Sequence, residues 1–102
     1  MARFDVYEGN TLSSVPLVLD VQADLLSDLQ TRVVIPLKLH KATKRPTQPR
    51  LEPVLLIGAR KYVLMTADIG TVQLADLQGR VTNLDNQRTV IIDAIDFLLQ
   101  GF

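Results

Sequence analysis

The residues of this chain that could take part in catalysis or bind a metal are few and scattered. His40 is the only histidine and cysteine is absent, which excludes thiolate metal sites, cysteine nucleophiles and disulfides. Within residues 38–41, His40 has neither metal-ligand spacing nor a neighbouring carboxylate. We interpret it as a surface residue at the end of a strand, and we expect neither a metal nor a cofactor.

Pairs of carboxylates are the remaining possibility for chemistry. Asp20 and Asp24 stand four residues apart, a spacing that could serve acid–base catalysis. They could equally cap a turn or pair with Arg32, which is the interpretation we favour, and Asp68 is expected in a turn. No serine lies in a Gly-x-Ser-x-Gly motif and the glycines form no phosphate-binding loop. The sequence therefore favours a protein that is not an enzyme.

Composition limits which partners and which cellular location we expect for this protein. The chain has 102 residues, which suits a single domain spanning 1–102. Eleven basic and 11 acidic residues give no net charge, whereas direct nucleic-acid binders usually carry a basic excess. No apolar run reaches the roughly 18 residues of a membrane span, and the N-terminus lacks a signal-peptide pattern. We expect a cytoplasmic protein with no membrane or direct nucleic-acid partner.

The elements that must position any site are mostly short strands. Apolar and β-branched patterns predict strands over residues 3–7, 15–21, 31–39, 53–57, 62–65 and 72–74. A glycine-containing turn at 58–61 predicts a hairpin, and residues 23–30 suit a helical turn or a loop. Pro36 predicts a bulge or a bend inside the third strand. The polar residues 8–14 and the basic, proline-rich residues 40–53 are expected to be loops.

The last segment changes to helical periodicity. An apolar face is predicted from positions one, three and four residues apart: Val90, Ile91, Ala94, Ile95, Leu98 and Leu99. Asn83 or Asp85 is expected to cap the start of this helix, and Gly101 to end it. The order of elements predicts a mainly β, α+β fold: a small barrel of short antiparallel strands with a C-terminal α-helix.

Four segments of the chain resemble the CcdB family of toxins. Residues 19–26 (LDVQADLL) are similar to the family's VDVQSDII/LL motif, and residues 31–37 (TRVVIPL) to its R-x-VIPL strand. Residues 54–58 with 64–72, and the closing helix at 92–102, resemble further family segments with similar spacing. The resemblance implies an SH3-like barrel and a homodimer. It also implies a toxin of plasmid-maintenance systems that traps DNA gyrase on cleaved DNA through the A subunit, and a cognate antitoxin with a disordered C-terminal segment.

The resemblance also implies a set of gyrase-binding positions: Phe4, Tyr7, Ala23, Leu25, Asp96, Leu99, Gln100, Gly101 and Phe102. Several of them depart from the family pattern. Gln100 stands where well-known members have Trp, so it lacks the ring that could stack on a guanidinium. Asp96 stands where Asn is frequent and adds a negative charge to the same surface.

Two alternatives remain open at this point. Some toxins on the same barrel are ribonucleases that cleave messenger RNA and share an early Arg-Gly-Asp/Glu motif. Here the equivalent stretch is Arg3-Phe4-Asp5, without the glycine. The other alternative is a homologue that has lost toxicity and only binds its antitoxin.

Overall fold

The computed structural model describes residues 2–9, 17–40 and 48–101. These residues form seven strands and one α-helix: β1 (Asp5–Glu8), β2 (Leu17–Asp20), β3 (Thr31–Leu39), β4 (Val54–Ile57), β5 (Arg60–Leu64), β6 (Gly70–Gln73), β7 (Arg80–Asn83) and α1 (Arg88–Gln100). Short 3₁₀ turns lie at Asp24–Leu26, Thr66–Asp68, Leu74–Asp76 and Asp85–Gln87. In this part of the chain, no helix is both long and apolar enough to cross a membrane.

All strand pairs are antiparallel and form one curled sheet. The strand order is β4-β5-β3-β2-β1-β7, and β6 pairs with the free part of β3. The curled sheet with its single C-terminal helix confirms the predicted small-barrel α+β fold. Apart from β3, the strands differ from the predicted ranges: β5 begins earlier, at Arg60, β6 begins at Gly70, and β7 has no predicted counterpart. Residues 10–16 and 41–47, which belong to the two predicted loops and to the start of the second predicted strand, lie outside the described part of the chain.

The long strand β3 has the predicted bounds and organises the sheet. One of its edges pairs with β2 without a register shift, from Leu17↔Leu37 to Asp20↔Val34, so the bulge predicted at Pro36 is not present in this pairing. The other edge pairs with β6 up to Val34 and with β5 from Leu37 onward. Pro36 lies in the gap between these two partners, where its missing N–H leaves no hydrogen bond unmade.

The β4–β5 hairpin is the predicted one. Ile57 and Arg60 are its last paired residues, and the two residues between them make the turn. Gly58 has φ +60°, a conformation that side-chain-bearing residues adopt only at a cost. The sequence signal of a glycine between two apolar runs therefore identified a real backbone requirement.

The core lies between the concave face of the sheet and α1. Its members are fully or nearly fully buried apolar side chains: Phe4, Val6, Leu19, Ile35, Leu37, Leu55, Leu64, Ile91 and Ala94. The predicted apolar face of the helix is only partly right. Ile91 and Ala94 are buried and Ile95 packs beside them, whereas Val90 and Leu99 are exposed and Ile92 joins the core instead.

Of the two predictions for the ends of α1, the one for its start is wrong and the one for its end is confirmed. Neither Asn83 nor Asp85 caps the helix, whose N-cap residue is Gln87. Instead, Asn83 Oδ1 accepts a hydrogen bond from the N–H of Asp85 at 2.8 Å, which stabilises the 3₁₀ turn before the helix. Gly101 ends α1 as predicted, because it has φ +79° and its N–H donates to the carbonyl of Phe97.

Asp20 has the structural role that the sequence favoured. Its carboxylate lies 2.7 Å from Arg32 Nη2, and both side chains are almost completely buried. Burial raises the pKa of Asp20, and hydrogen bonds from Arg32 and the N–H of Gln22 act against that rise. Asp68 lies in a 3₁₀ turn as expected. The predicted loop does end at residue 53, since β4 begins at Val54, but it is not exposed throughout, because Glu52 and Pro53 are buried.

Candidate partner-binding surface

Phe4 belongs to the core and has an unusual backbone. Its side chain is 1% exposed and its φ is +71°, so the strand predicted from residue 3 begins only at Asp5. Two backbone hydrogen bonds hold this conformation: the N–H of Phe4 donates to Asp20 O, and the N–H of Leu84 donates to Phe4 O. A left-handed residue other than glycine costs on the order of 1 kcal/mol. The structure places this strained residue where β1, the end of β2 and the approach to α1 meet.

Two guanidinium groups lie over the Phe4 ring. The Arg3 guanidinium carbon is 4.8 Å from the ring centroid and that of Arg88 is 5.7 Å away. Distances below about 6 Å allow cation–π attraction. Because Arg88 begins α1, this contact links the start of the helix to the N-terminal strand.

Tyr7, the second aromatic residue of the candidate site, is also buried. Its hydroxyl donates to a carboxylate oxygen of Asp5 at 3.3 Å. The same carboxylate accepts from Asn83 Nδ2, Arg80 Nε and the N–H of Ala2, at 2.9 to 3.0 Å. Burial alone would raise the pKa of Asp5, but these hydrogen bonds outweigh it and hold the pKa below its usual value. Burial and the neighbouring Asp5 charge raise the pKa of Tyr7.

The 3₁₀ turn after β2 carries the most exposed large apolar side chain in the described part of the chain. Leu25 is 92% exposed, and Leu26 and Leu29 beside it are about half exposed. Ala23 is exposed as well. We refer to these four residues as the turn surface.

Polar contacts hold this turn in place from both sides. The carboxylate of Asp24 accepts a hydrogen bond from the N–H of Arg3 at 2.7 Å. The Gln22 side chain donates to Leu26 O and accepts from the N–H of Val33. Leu25 therefore projects into solvent from a turn that is hydrogen-bonded to Arg3, just before β1, and to β3.

The last turns of α1 form the second exposed group. Leu99 and Gln100 follow Asp96 by three and four residues, so both lie on the same side of the helix as Asp96. All three are exposed, with Leu99 at 73%, and Gly101 follows them in the left-handed conformation. We refer to these four residues as the helix-end surface. The remaining candidate, Phe102, lies outside the described residues.

Arg50 supports this part of the helix, a role that the sequence did not reveal. Its Nε and Nη2 donate to the two carboxylate oxygens of Asp93 at 3.0 and 3.1 Å. The guanidinium also lies 4.8 Å from the centroid of the Phe97 ring. The hydrogen bond to Asp93 raises the pKa of Arg50. Forty-three residues separate Arg50 from Asp93, so only the folded chain brings them together.

The candidate residues thus divide into two kinds. Phe4 and Tyr7 are buried supports, whereas the turn surface and the helix-end surface are open to a partner. Arg3 joins Phe4 to the turn through its backbone N–H and through a hydrogen bond from its Nε to Val21 O. In residues 2–9, 17–40 and 48–101, no group of three histidine or acidic side chains could hold a metal ion.

The described residues thus form a small antiparallel barrel with one C-terminal helix, and they expose apolar side chains at a turn and at the helix end. The chain matches the family model described as CcdB protein over residues 3–101, which is nearly its whole length. It therefore belongs to the CcdB family, as the sequence motifs indicated. Membership identifies it, in general terms, as a toxin of a toxin–antitoxin pair.

Proposed function

We propose that this protein poisons DNA gyrase: it binds the A subunit as a homodimer and traps the complex with cleaved DNA. A cognate antitoxin, folding its disordered C-terminal segment on the toxin, would neutralise it in the cytoplasm. Family membership supports this function. The observation that carries the binding role is the exposure of Leu25 on a turn held by hydrogen bonds, together with Leu99 on the helix end.

The physical argument concerns exposed apolar surface on rigid elements. Water disfavours large exposed apolar side chains, and several of them close together mark binding surfaces in soluble proteins. A rigid support lowers the entropy lost on binding, so Leu25 and Leu99 are suited to fill pockets on a partner. Gln100 and Asp96, which are exposed beside Leu99 on the helix-end surface, add hydrogen-bonding groups to that surface.

A purified-protein assay tests the proposal. Supercoiling reactions with gyrase and plasmid should accumulate linear, cleaved DNA when the toxin is present. Leu25→Ala should weaken binding to the A subunit by about 30-fold, as expected for a central interface residue. Leu56→Ala is the control, because Leu56 is also an exposed leucine (53%) but lies on the edge strand β4. Absence of cleaved DNA and of any A-subunit binding would refute gyrase poisoning.

Parallel assays with antitoxin and with RNA separate the other two candidates. A homologue that only binds antitoxin would leave gyrase unaffected while still forming a complex with the antitoxin. A ribonuclease would degrade RNA in a manner that depends on Arg3 and Asp5. Both oxygens of Asp5 already accept hydrogen bonds from neighbouring residues, and Arg3 Nε donates to a backbone carbonyl. These contacts support a protein that acts by binding rather than by catalysis.

A further inference from the structure

A cavity of about 410 Å³ lies at one end of the barrel, away from the residues considered above. Its lining comes from the end of β3 and from the β4–β5 turn: Leu39, His40, Ala59, Arg60 and Lys61. Among the described residues of this lining, each ionisable side chain is basic or an imidazole, and none is a carboxylate. The feature is thus a concave site of positive charge on a chain whose net charge is zero.

The sheet register holds the basic residues in place. Leu39 pairs with Tyr62 as the last pair between β3 and β5, so His40 follows beside the position of Lys61. Arg60 pairs with Ile57 at the other side of the turn. The backbone hydrogen bonds of two strand pairs therefore hold the backbone positions of the three residues in place before any ligand arrives.

The basic residues here also differ from the others in lacking partners. In the described part of the chain, the remaining arginines each contact a carboxylate, a carbonyl or an aromatic ring: Arg3, Arg32, Arg50, Arg80 and Arg88. Arg60, Lys61 and the adjacent Lys38 form no ion pair with any described carboxylate. Like charges held close together repel, and an anion bound between them would remove that repulsion.

We propose that this cavity binds a phosphate group, either a free or nucleotide phosphate or a phosphodiester of a DNA backbone. Arg60 offers the planar fork of donors that suits phosphate oxygens, and Lys61 offers a mobile ammonium. The imidazole of His40 adds a further N–H donor. The described lining residues include no aromatic side chain for base stacking, so the recognition we propose rests on the phosphate and is independent of base sequence. The proposal does not depend on gyrase binding.

The test is a titration of the full-length protein followed by amide NMR. Inorganic phosphate should shift the amides of residues 39–40 and 58–61 with a Kd on the order of 1 mM. Sodium chloride at equal ionic strength should not. A short duplex DNA should shift the same amides if the source is a nucleic-acid backbone, and its binding should weaken steeply with salt. Phosphate binding without DNA binding would assign the site to a free phosphate or nucleotide.

Substitutions give the decisive comparison. The double variant Arg60→Gln, Lys61→Gln should weaken phosphate binding on the order of tenfold. Arg88→Gln is the matched control, because it removes one exposed guanidinium on α1 and should leave phosphate binding unchanged. Three results would overturn the proposal: chloride shifting the same amides equally, full binding by the double variant, or preference for an acidic peptide over phosphate and DNA. Unchanged thermal unfolding of the double variant would exclude misfolding as the cause of lost binding.

Discussion

The side chain of Gln87 is hydrogen-bonded twice to the backbone of Leu56. Its Nε2 donates to Leu56 O at 2.8 Å, and its Oε1 accepts from the N–H of Leu56 at 3.0 Å. The side-chain amide thereby makes the two backbone hydrogen bonds that a residue of a neighbouring strand would make. Leu56 lies on β4, the first strand in the sheet order, and Gln87 follows β7, the last. The pair thus connects the two ends of the curled sheet and covers part of an open strand edge.

Removing this connection should loosen the β4 edge. We expect Gln87→Ala to lower the free energy of unfolding by about 1 kcal/mol, since it deletes two partly solvated hydrogen bonds. Urea denaturation measures that change, and hydrogen exchange should show faster exchange at the amide of Leu56. The neighbouring Asn86→Ala is the control, because Asn86 is exposed in the same turn. Unchanged exchange at Leu56 would contradict the role assigned to Gln87.

The buried Asp20–Arg32 pair should be costly to break from one side. Arg32→Met leaves the Asp20 charge buried without its partner, and we expect a loss of about 3–5 kcal/mol in urea denaturation. Adding Asp20→Asn should recover part of that loss. Arg32 Nη2 is close to Asp20 but has no acceptor in hydrogen-bonding geometry among the described residues, so the pair is not fully satisfied.

The exposed ion pair of Asp85 and Arg88 provides the comparison for the buried Asp20–Arg32 pair. Both of its side chains are more than half exposed and their charged atoms are 3.6 Å apart. Removing this pair should lower the free energy of unfolding by less than about 1 kcal/mol. If the buried and exposed pairs cost the same, the buried pair would have no special role in stability.

Asp5 should make the protein sensitive to acid. Its pKa in the folded chain lies below the usual value, so the unfolded chain binds a proton more readily. Its contribution to stability is therefore present above the ordinary aspartate pKa of about 4 and is lost as the pH falls through the folded value. Asp5→Asn should lower stability at neutral pH and flatten its decline in acid, as measured by urea midpoints across pH. Asp28→Asn, at an exposed position, should leave the slope unchanged.

Gln100→Trp tests the helix-end surface within the proposed function. A Trp face can stack on a guanidinium of a partner, which is worth about 0.5–2 kcal/mol, so we expect stronger binding to the gyrase A subunit. Gln100 is exposed, and the larger side chain should not disturb the core. Calorimetric titration and the yield of cleaved plasmid are the two measurements. Equal affinity of the variant and the parent would show that Gln100 lies outside the interface.

Local signals made part of this structure predictable. The bounds of β3, the turn at Gly58 and the helix end at Gly101 each follow from the residues at that position. The family motifs pointed to Leu25. Its exposure was not evident from the residues alone, because a Leu-Leu pair beside an apolar strand more often indicates burial.

The features that the sequence did not predict depend on contacts between distant parts of the chain. The positive φ of Phe4 depends on hydrogen bonds to Asp20 and Leu84. The pairing of Arg50 with Asp93 has no local signature either. Asn83 matched the pattern of a helix cap, but the chain forms a 3₁₀ turn first, so the side chain acts one turn earlier than expected.

The pairing of β1 with β7 has a consequence for how the protein is made. Asp5 faces Asn83 across this pair, so the first strand obtains its second neighbour only from near the end of the chain. Such a contact closes a very long loop, and proteins rich in such contacts fold slowly. During translation, β1 cannot pair with β7 until residues 80–83 have been synthesised. Because α1 follows β7 along the chain, the helix-end surface is synthesised only after every described strand of the sheet.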